Sequence, residues 1–170
     1  IVTQAKPIKK LSYYEAMELS HFGAKVIYPP TLQPIIEKNI PIVVKNTFAP
    51  EDTGTLIDSS EILENTEIVK GISHIDNVAI INLEGSGMIG ITGFSKRLFE
   101  ALSDENINVI MITQASSEHS ICIGVKEEES AIAKKAIDKK FAFEISLNKV
   151  APAKIEKNMV NIAVVGEKMK

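Results

Sequence analysis

Three glycines with the spacing of a phosphate-binding turn are the residues of this chain that most strongly suggest chemistry. Gly85, Gly87 and Gly90 form the pattern G-x-G-x-x-G between an apolar segment, residues 78–83, and a helix-like segment. Between a strand and a helix, this pattern lets the backbone approach the pyrophosphate of a dinucleotide. The first chemistry to consider is therefore nucleotide binding.

The carboxylate that a dinucleotide site needs is missing at the expected place. That carboxylate binds the ribose hydroxyls from the end of the second strand, but the second apolar segment, residues 107–112, is followed by Thr113 and Gln114. Asp104 and Glu105 fall in the turn before that segment, out of reach of a ribose. A strand, a turn rich in N–H groups and a helix start remain, which together favour a small anion. With the amide of Gln114 nearby, such a crevice suits a free amino acid.

Other reactive side chains have structural interpretations. The histidines show no i,i+4 pair and no carboxylate at ligand spacing, so no metal site is predicted: His21, His74 and His119. Cys122 lies in an apolar segment and is interpreted as a packed thiol. Ser116 and Ser117 lack a G-x-S-x-G elbow and are expected to form a turn at a strand end. Met88 either fills the core or lines the crevice, and both interpretations stay open.

The amino-acid composition argues against nucleic acid and membranes as binding partners. The 170 residues include 19 basic and 22 acidic side chains, a net charge of −3 that is too balanced to attract nucleic acid or an anionic membrane. Arg97 is the single arginine, whereas nucleic-acid recognition relies on arginine. No apolar run approaches the roughly 18–20 residues of a membrane helix. The single cysteine suits a reducing cytoplasm, so we expect a cytoplasmic protein of one large or two small domains.

The elements that must position the crevice follow the order βαββαβ, which is typical of a ferredoxin-like α+β fold. The predicted strands are residues 78–83, 107–112, 121–125 and a segment within 150–156, where Pro152 requires an edge. A first helix over residues 92–103 has the apolar face Phe94, Leu98, Ala101 and Leu102. A second helix begins at glutamates 127–129, ends near lysines 139–140 and has the apolar face Ile132, Ala133, Ala136 and Ile137.

The preceding residues predict smaller elements. Ser12 and Glu15 have capping-box spacing, so a helix is expected over residues 13–22, ended by Gly23. Thr31 is expected to cap a short helix that ends near Lys38. Residues 40–45 predict a strand, residues 49–54 a turn, and residues 58–66 a polar linker.

Several segments closely resemble the aspartate kinases, most strongly the bifunctional aspartate kinase/homoserine dehydrogenases. Residues 69–72 (VKGI), 83–88 (LEGSGM) and 109–120 (VIMITQASSEHS) resemble the first ACT regulatory domain of that family. Residues 11–16 (LSYYEA), 22–27 (FGAKVI), 40–43 (IPIV), 45–48 (KNTF) and Gly54-Thr55 are similar to the end of its kinase domain. The resemblance covers nearly the whole chain.

The resemblance implies a domain plan. Residues 1–57 would be the end of the kinase domain plus a strand shared with a second ACT domain, and residues 58–75 a linker and lead-in strand. Residues 76–157 would be the first ACT domain, and residues 158–170 the first strand of a truncated second one. Because the chain lacks an initial methionine and ends just after an apolar run, we expect it to be a piece of a longer enzyme.

The resemblance also implies allosteric sensing of an amino acid, with threonine favoured and lysine the alternative, and homodimerisation through ACT domains. The effector-binding residues it implies are Met88, Gly90, Thr92, Gly93, Phe94, Asn108, Ile112 and Gln114. Catalytic residues and cofactors are expected to be absent from this chain, because the ATP and Mg²⁺ of an intact kinase bind before the matched region. An ACT scaffold that binds no ligand and a small nucleotide-dependent enzyme are the rival interpretations.

Overall fold

A computed structural model describes residues 5–24, 26–59, 68–114 and 119–166. The chain packs as two compact units, one formed by Ile1–Ile75 with Ile162–Lys170 and the other by Asp76–Asn161. In the described part of the chain, no helix has the length and apolar character needed to cross a membrane.

The first unit contains a small mixed sheet with two helices. Its elements are β1 (Lys10–Ser12), α1 (Tyr13–Leu19), α2 (Pro29–Glu37), β2 (Ile42–Val44) and β3 (Thr55–Asp58). The strand order is β1-β3-β2, with β1 parallel and β2 antiparallel to β3. The predicted strand at residues 40–45 is present as Ile42–Val44 and pairs with β3. The strands β1 and β3 were not predicted, because three or four residues carry too little periodicity.

The predicted capping box at the start of α1 is confirmed. Ser12 Oγ accepts a hydrogen bond from the Glu15 backbone N–H at 3.2 Å, and Glu15 Oε2 accepts one from the Ser12 N–H at 2.8 Å. The α-helix ends at Leu19, earlier than predicted, and continues as a wider turn in which Gly23 has φ +108°. A Cβ at Gly23 would lie 2.2 Å from the His74 carbonyl oxygen, so this close approach requires glycine.

The predicted start of α2 at Thr31 is wrong. The N-cap is Tyr28, and Pro29 and Pro30 occupy the first helical positions. Proline suits these positions because its fixed φ matches the helix and no N–H is needed there. The Thr31 hydroxyl instead donates to the Tyr28 carbonyl at 2.7 Å. Further along, backbone hydrogen bonds from Ala49 and Asp52 confirm the predicted turn.

The second unit has the predicted ferredoxin-like order. Its elements are β4 (Gly71–Glu84), which begins in the first unit, α3 (Phe94–Asp104), β5 (Met111–Gln114), β6 (Ser120–Lys126), α4 (Ser130–Lys140), α5 (Ala142–Ser146) and β7 (Lys154–Val165), which ends in the first unit. The strand order is β5-β6-β4-β7, and β6 is antiparallel to both β4 and β5. The helix α5 and the length of β7, which joins two predicted strands into one, were not foreseen.

The core of this unit lies between α3, α4 and one face of the sheet. The predicted face of α3 is confirmed: Phe94, Leu98, Ala101 and Leu102 are all buried. On α4 the prediction is half wrong, because Ile132 is 52% exposed while Ala133 and Ile137 are buried. The actual stripe is Ser130, Ala133, Ile137 and the fully buried Phe141 that follows the helix. Neighbouring positions such as 132 and 133 are about 100° apart around a helix, so only one of them points directly into this core.

The segment predicted as the second strand, residues 107–112, does not begin as a strand. Its first residue, Ile107, instead closes the C-terminal end of α3. The Ile107 backbone N–H donates to the Leu102 carbonyl at 3.0 Å, and its side chain is buried in the core. The strand β5 therefore begins only at Met111. It is short and lies at an edge of the sheet, and its last residue is Gln114.

Candidate functional site

The glycine-rich turn packs against protein backbone. A Cβ at Gly85 would lie 2.3 Å from the Lys149 carbonyl oxygen and 2.5 Å from the Val150 Cα, and one at Gly87 would lie 2.6 Å from the Lys149 Cβ. The Gly85 N–H donates to the His119 carbonyl at 2.9 Å, and the Gly87 N–H to the Lys149 carbonyl at 2.8 Å. The N–H groups that a pyrophosphate would need are therefore already bonded, which explains the glycine spacing by packing.

A cavity of about 150 Å³ opens where this turn leads into α3. Its lining includes both apolar and polar groups from the turn, the start of α3 and the strand pair β5–β6: Met88, Ile91, Gly93, Phe94, Ser95, Gln114 and Ile121. Typical sites for drug-sized ligands measure roughly 300–1,000 Å³, so this cavity suits a smaller molecule.

The start of α3 supplies hydrogen-bond donors to this cavity. The first bond within the helix runs from the Arg97 N–H to the Gly93 carbonyl at 3.1 Å. By helix geometry, the N–H groups of Phe94, Ser95 and Lys96 have no acceptor inside the helix, and the N-cap residue, Gly93, has no side chain to cap them. Because these donors coincide with the positive end of the helix dipole, they favour a carboxylate.

The amide of Gln114 lies on the opposite side of the cavity. Gln114 ends β5 and is directly paired with Ile121 of β6, whose side chain is 1% exposed and also lines the cavity. Paired residues of an antiparallel ladder point to the same face, which places the amide on the helix side of the sheet. A side-chain amide both donates and accepts hydrogen bonds, so it can meet an ammonium or a hydroxyl group.

An ion pair and two stacked rings support the first turn of α3. The Phe94 ring stacks on that of Phe141, with centroids 4.4 Å apart and planes at 22°. Arg97 lies over the Phe141 ring and binds Glu144 Oε1 at 2.5 Å. The hydrogen bond to Arg97 lowers the pKa of Glu144 below its ordinary value, and the same bond raises the pKa of Arg97. The pair therefore stays ionised at neutral pH.

The structure brings together half of the residues that the sequence singled out. Met88, Gly93, Phe94 and Gln114 line the cavity, and Met88 belongs to the hydrophobic core as well. The cavity lining does not include four others, which are exposed: Gly90, Thr92, Asn108 and Ile112. Asn108 lies outside β5, because that strand begins later than predicted.

Sequence reasoning missed three lining residues: Ile91, Ser95 and Ile121. Ser95 is the second residue of α3, and a hydroxyl at that position was a usable signal because it adjoins the free N–H groups. Ile121 was identified only as part of a strand. Its place in the cavity depends on the register between β5 and β6, which the sequence did not give.

Other candidate residues do not form a second site in the described ranges. No group of three His, Cys, Asp or Glu side chains there could hold a metal ion. The Cys122 thiol is half-buried, and burial, followed by the charge of Glu156, raises its pKa, which disfavours the reactive thiolate. Ser116 and Ser117 lie outside the described residues.

Comparison with known proteins agrees with this geometry. Residues 81–141 match the model of an ACT domain family. A bifunctional aspartokinase/homoserine dehydrogenase of Haemophilus influenzae is 44% identical over 170 residues, which is 100% of this chain and 21% of that protein. The chloroplastic bifunctional aspartokinase/homoserine dehydrogenase of Daucus carota is 41% identical over 174 residues, 99% of this chain and 19% of that protein. The chain thus spans about a fifth of the length of these relatives.

A solved structure shows the same architecture. The crystal structure of Clostridium acetobutylicum aspartate kinase superimposes with a TM-score of 0.82 at 28% identity, covering 98% of this chain and 37% of that one. The fold and the family match therefore define an ACT domain. The chain as a whole belongs to the ACT-containing regulatory regions of aspartate kinases, in agreement with the resemblance seen in its sequence.

Proposed function

We propose that the cavity at the start of α3 binds a free amino acid, and that this binding controls the phosphorylation of aspartate by ATP in a longer aspartate kinase. One observation carries the proposal: the uncapped first turn of α3 and the Gln114 amide line one small cavity. The N–H groups of that turn would bind the ligand carboxylate. Gln114 would bind its ammonium or side-chain hydroxyl.

Threonine fits the cavity better than lysine. Among the described residues that line it, none is a carboxylate, so the second ammonium group of lysine would find no opposite charge. The hydroxyl of Ser95 and the amide of Gln114 match a neutral polar side chain. The volume of about 150 Å³ also favours a short side chain.

The regulatory effect requires that the ligand prefer one arrangement of the protein over another. A coupling of about 1–3 kcal/mol is typical of such systems. We propose that the chain forms a homodimer through its ACT domain. This dimer would have two arrangements, one of which the ligand prefers. The exposed Ile112 on the edge strand β5 is consistent with that role. Light scattering tests this part, and a strict monomer at every threonine concentration would contradict it.

The proposal assigns the catalytic chemistry to other parts of the longer enzyme. ATP and Mg²⁺ would bind there, and this chain would contribute no catalytic residue and no cofactor site. We propose a cytoplasmic setting, although the relative from Daucus carota is chloroplastic. Neither nucleic acid nor a membrane is a proposed partner.

Replacing Gln114 with alanine is expected to weaken threonine binding by about tenfold or more, because a buried ligand group would lose its hydrogen-bond partner. The melting temperature should change little, since Gln114 is exposed at the end of an edge strand. The measurement is isothermal titration calorimetry with threonine.

Gln33→Ala is the matched control for this experiment. Gln33 is an exposed glutamine on α2, in the first unit, and it is not among the residues that line the cavity, so its loss removes the same amide from outside the site. Threonine affinity should be unchanged in the control. Equal threonine affinity in Gln114→Ala and wild type would mean that the amide does not contact the ligand. If the wild type binds no threonine at all, the interpretation as a scaffold without a ligand is favoured.

A further inference from the structure

Arg97 joins the first turns of α3 to the helices that follow β6. It lies one turn after Phe94 and does not line the cavity. Its Nη1 donates to Glu144 Oε1 at 2.5 Å, and its Nη2 donates to the Lys140 carbonyl at 3.0 Å. Its Cζ lies 4.6 Å from the centroid of the Phe141 ring. Only a planar guanidinium can make two directed hydrogen bonds and a stacking contact at once.

These contacts reach the cavity through the stacked rings. Phe141 is 0% exposed and stacks on Phe94, which is the first residue of α3 and part of the cavity lining. In a closely packed interior, a ring cannot shift without moving the ring that it touches. The orientation of Phe94, and of the N–H groups beside it, therefore depends on where Phe141 is held.

We propose that Arg97 is a positioning residue for the amino acid site: by fixing Phe141 and Glu144, it holds the first turn of α3 with its N–H groups directed at the ligand carboxylate. This inference rests on the proposed function, because it concerns the same cavity. Arg97 acts through the rings and the helix and makes no contact with the ligand itself.

The test compares threonine affinity in variants of Arg97 by calorimetry. Arg97→Met keeps much of the side-chain volume but loses both hydrogen bonds, and should weaken threonine binding about tenfold, as expected for closely coupled contacts. Arg97→Lys keeps a charge beside Glu144 but loses the planar fork, so its affinity should fall between those of Arg97→Met and wild type.

The matched control is Glu100→Gln. It disrupts a second ion pair of α3, in which Lys140 Nζ of α4 lies 2.8 Å from Glu100 Oε2, and it leaves the Arg97 side chain unchanged. Because this pair is solvent-exposed, the control should keep threonine affinity within about twofold of wild type.

Two further readouts separate positioning from general stability. Each variant is titrated well below its own melting temperature, and amide hydrogen exchange is followed at Ser95 and Lys96. Positioning predicts that saturating threonine slows exchange at these amides less in the variant than in wild type, together with the affinity loss. A variant that melts earlier but binds threonine like wild type would overturn the proposal. If Arg97→Met does not fold, Arg97→Lys and Glu144→Gln provide the same comparison.

The outcomes also distinguish the two proposals. If wild-type protein binds no threonine or lysine, the proposed function fails and the role of Arg97 fails with it. If wild type binds threonine and every folded Arg97 variant binds it equally well, only the positioning role is refuted.

Discussion

Replacing Phe141 with alanine is expected to lower the free energy of unfolding by about 3–5 kcal/mol, the usual cost of removing a fully buried aromatic ring. The side chain is 0% exposed and stacks on Phe94 at 4.4 Å between ring centroids. It also ends the buried stripe of α4 and connects that helix to α5. Urea denaturation followed by circular dichroism measures the loss.

The control for this substitution lies two residues further on. Phe143 is 71% exposed, so Phe143→Ala removes the same ring from the surface and should change the free energy of unfolding by no more than about 0.5 kcal/mol. Similar small losses in both variants would contradict the central position given to Phe141 in the core.

Replacing Gly85 with alanine is expected to destabilise the protein by about 3 kcal/mol or more, beyond the typical cost of an overpacked core. The new Cβ would lie 2.3 Å from the Lys149 carbonyl oxygen and 2.5 Å from the Val150 Cα. Both are backbone atoms, so no flexible side chain can move aside. The effect is steric, because the φ of Gly85, 164°, is extended backbone that any residue adopts. Urea denaturation again provides the measurement.

Gly90→Ala is the informative comparison. Apart from its chain neighbours, no described residue has an atom within 4 Å of a Cβ built there, so the expected cost is that of the left-handed φ of +67°, about 1–2 kcal/mol. If Gly90→Ala unfolded the protein while Gly85→Ala were tolerated, the explanation of the glycine spacing by packing would be wrong.

The sequence predicted the order of the second unit well, because its helices and longer strands have clear periodicity. The buried face of α3 followed directly from residues at helical spacing. The errors arose where tertiary contacts outweigh local pattern. Residues 107–110 are apolar like a strand, but Ile107 closes the end of α3 by bonding to Leu102. The strand β7 continues past the segment predicted for it, since pairing along a sheet has no local stop signal in residues 154–165.

The chemistry of the candidate site could be predicted from the sequence better than the set of residues that line it. Gln114 and Phe94 could be chosen because a strand end and a helix start meet in a βαβ arrangement. Asn108 was placed in the site by assuming a longer β5, and the actual strand begins at Met111. Ile121 required the register with β5. The glycine spacing suggested a phosphate site because its actual cause cannot be seen in the local sequence. These glycines pack against Lys149, which lies more than sixty positions further along the chain.

A calorimetric titration of the wild-type protein with threonine, lysine, ATP and NAD determines whether the cavity at the start of α3 is an amino acid site. We expect saturable heat with threonine, weaker binding or none with lysine, and no saturable binding of either nucleotide, because the N–H groups of Gly85 and Gly87 are already bonded. Saturable binding of ATP or NAD that is lost on changing the glycine-rich turn, with no response to any amino acid, would contradict the proposed amino acid site.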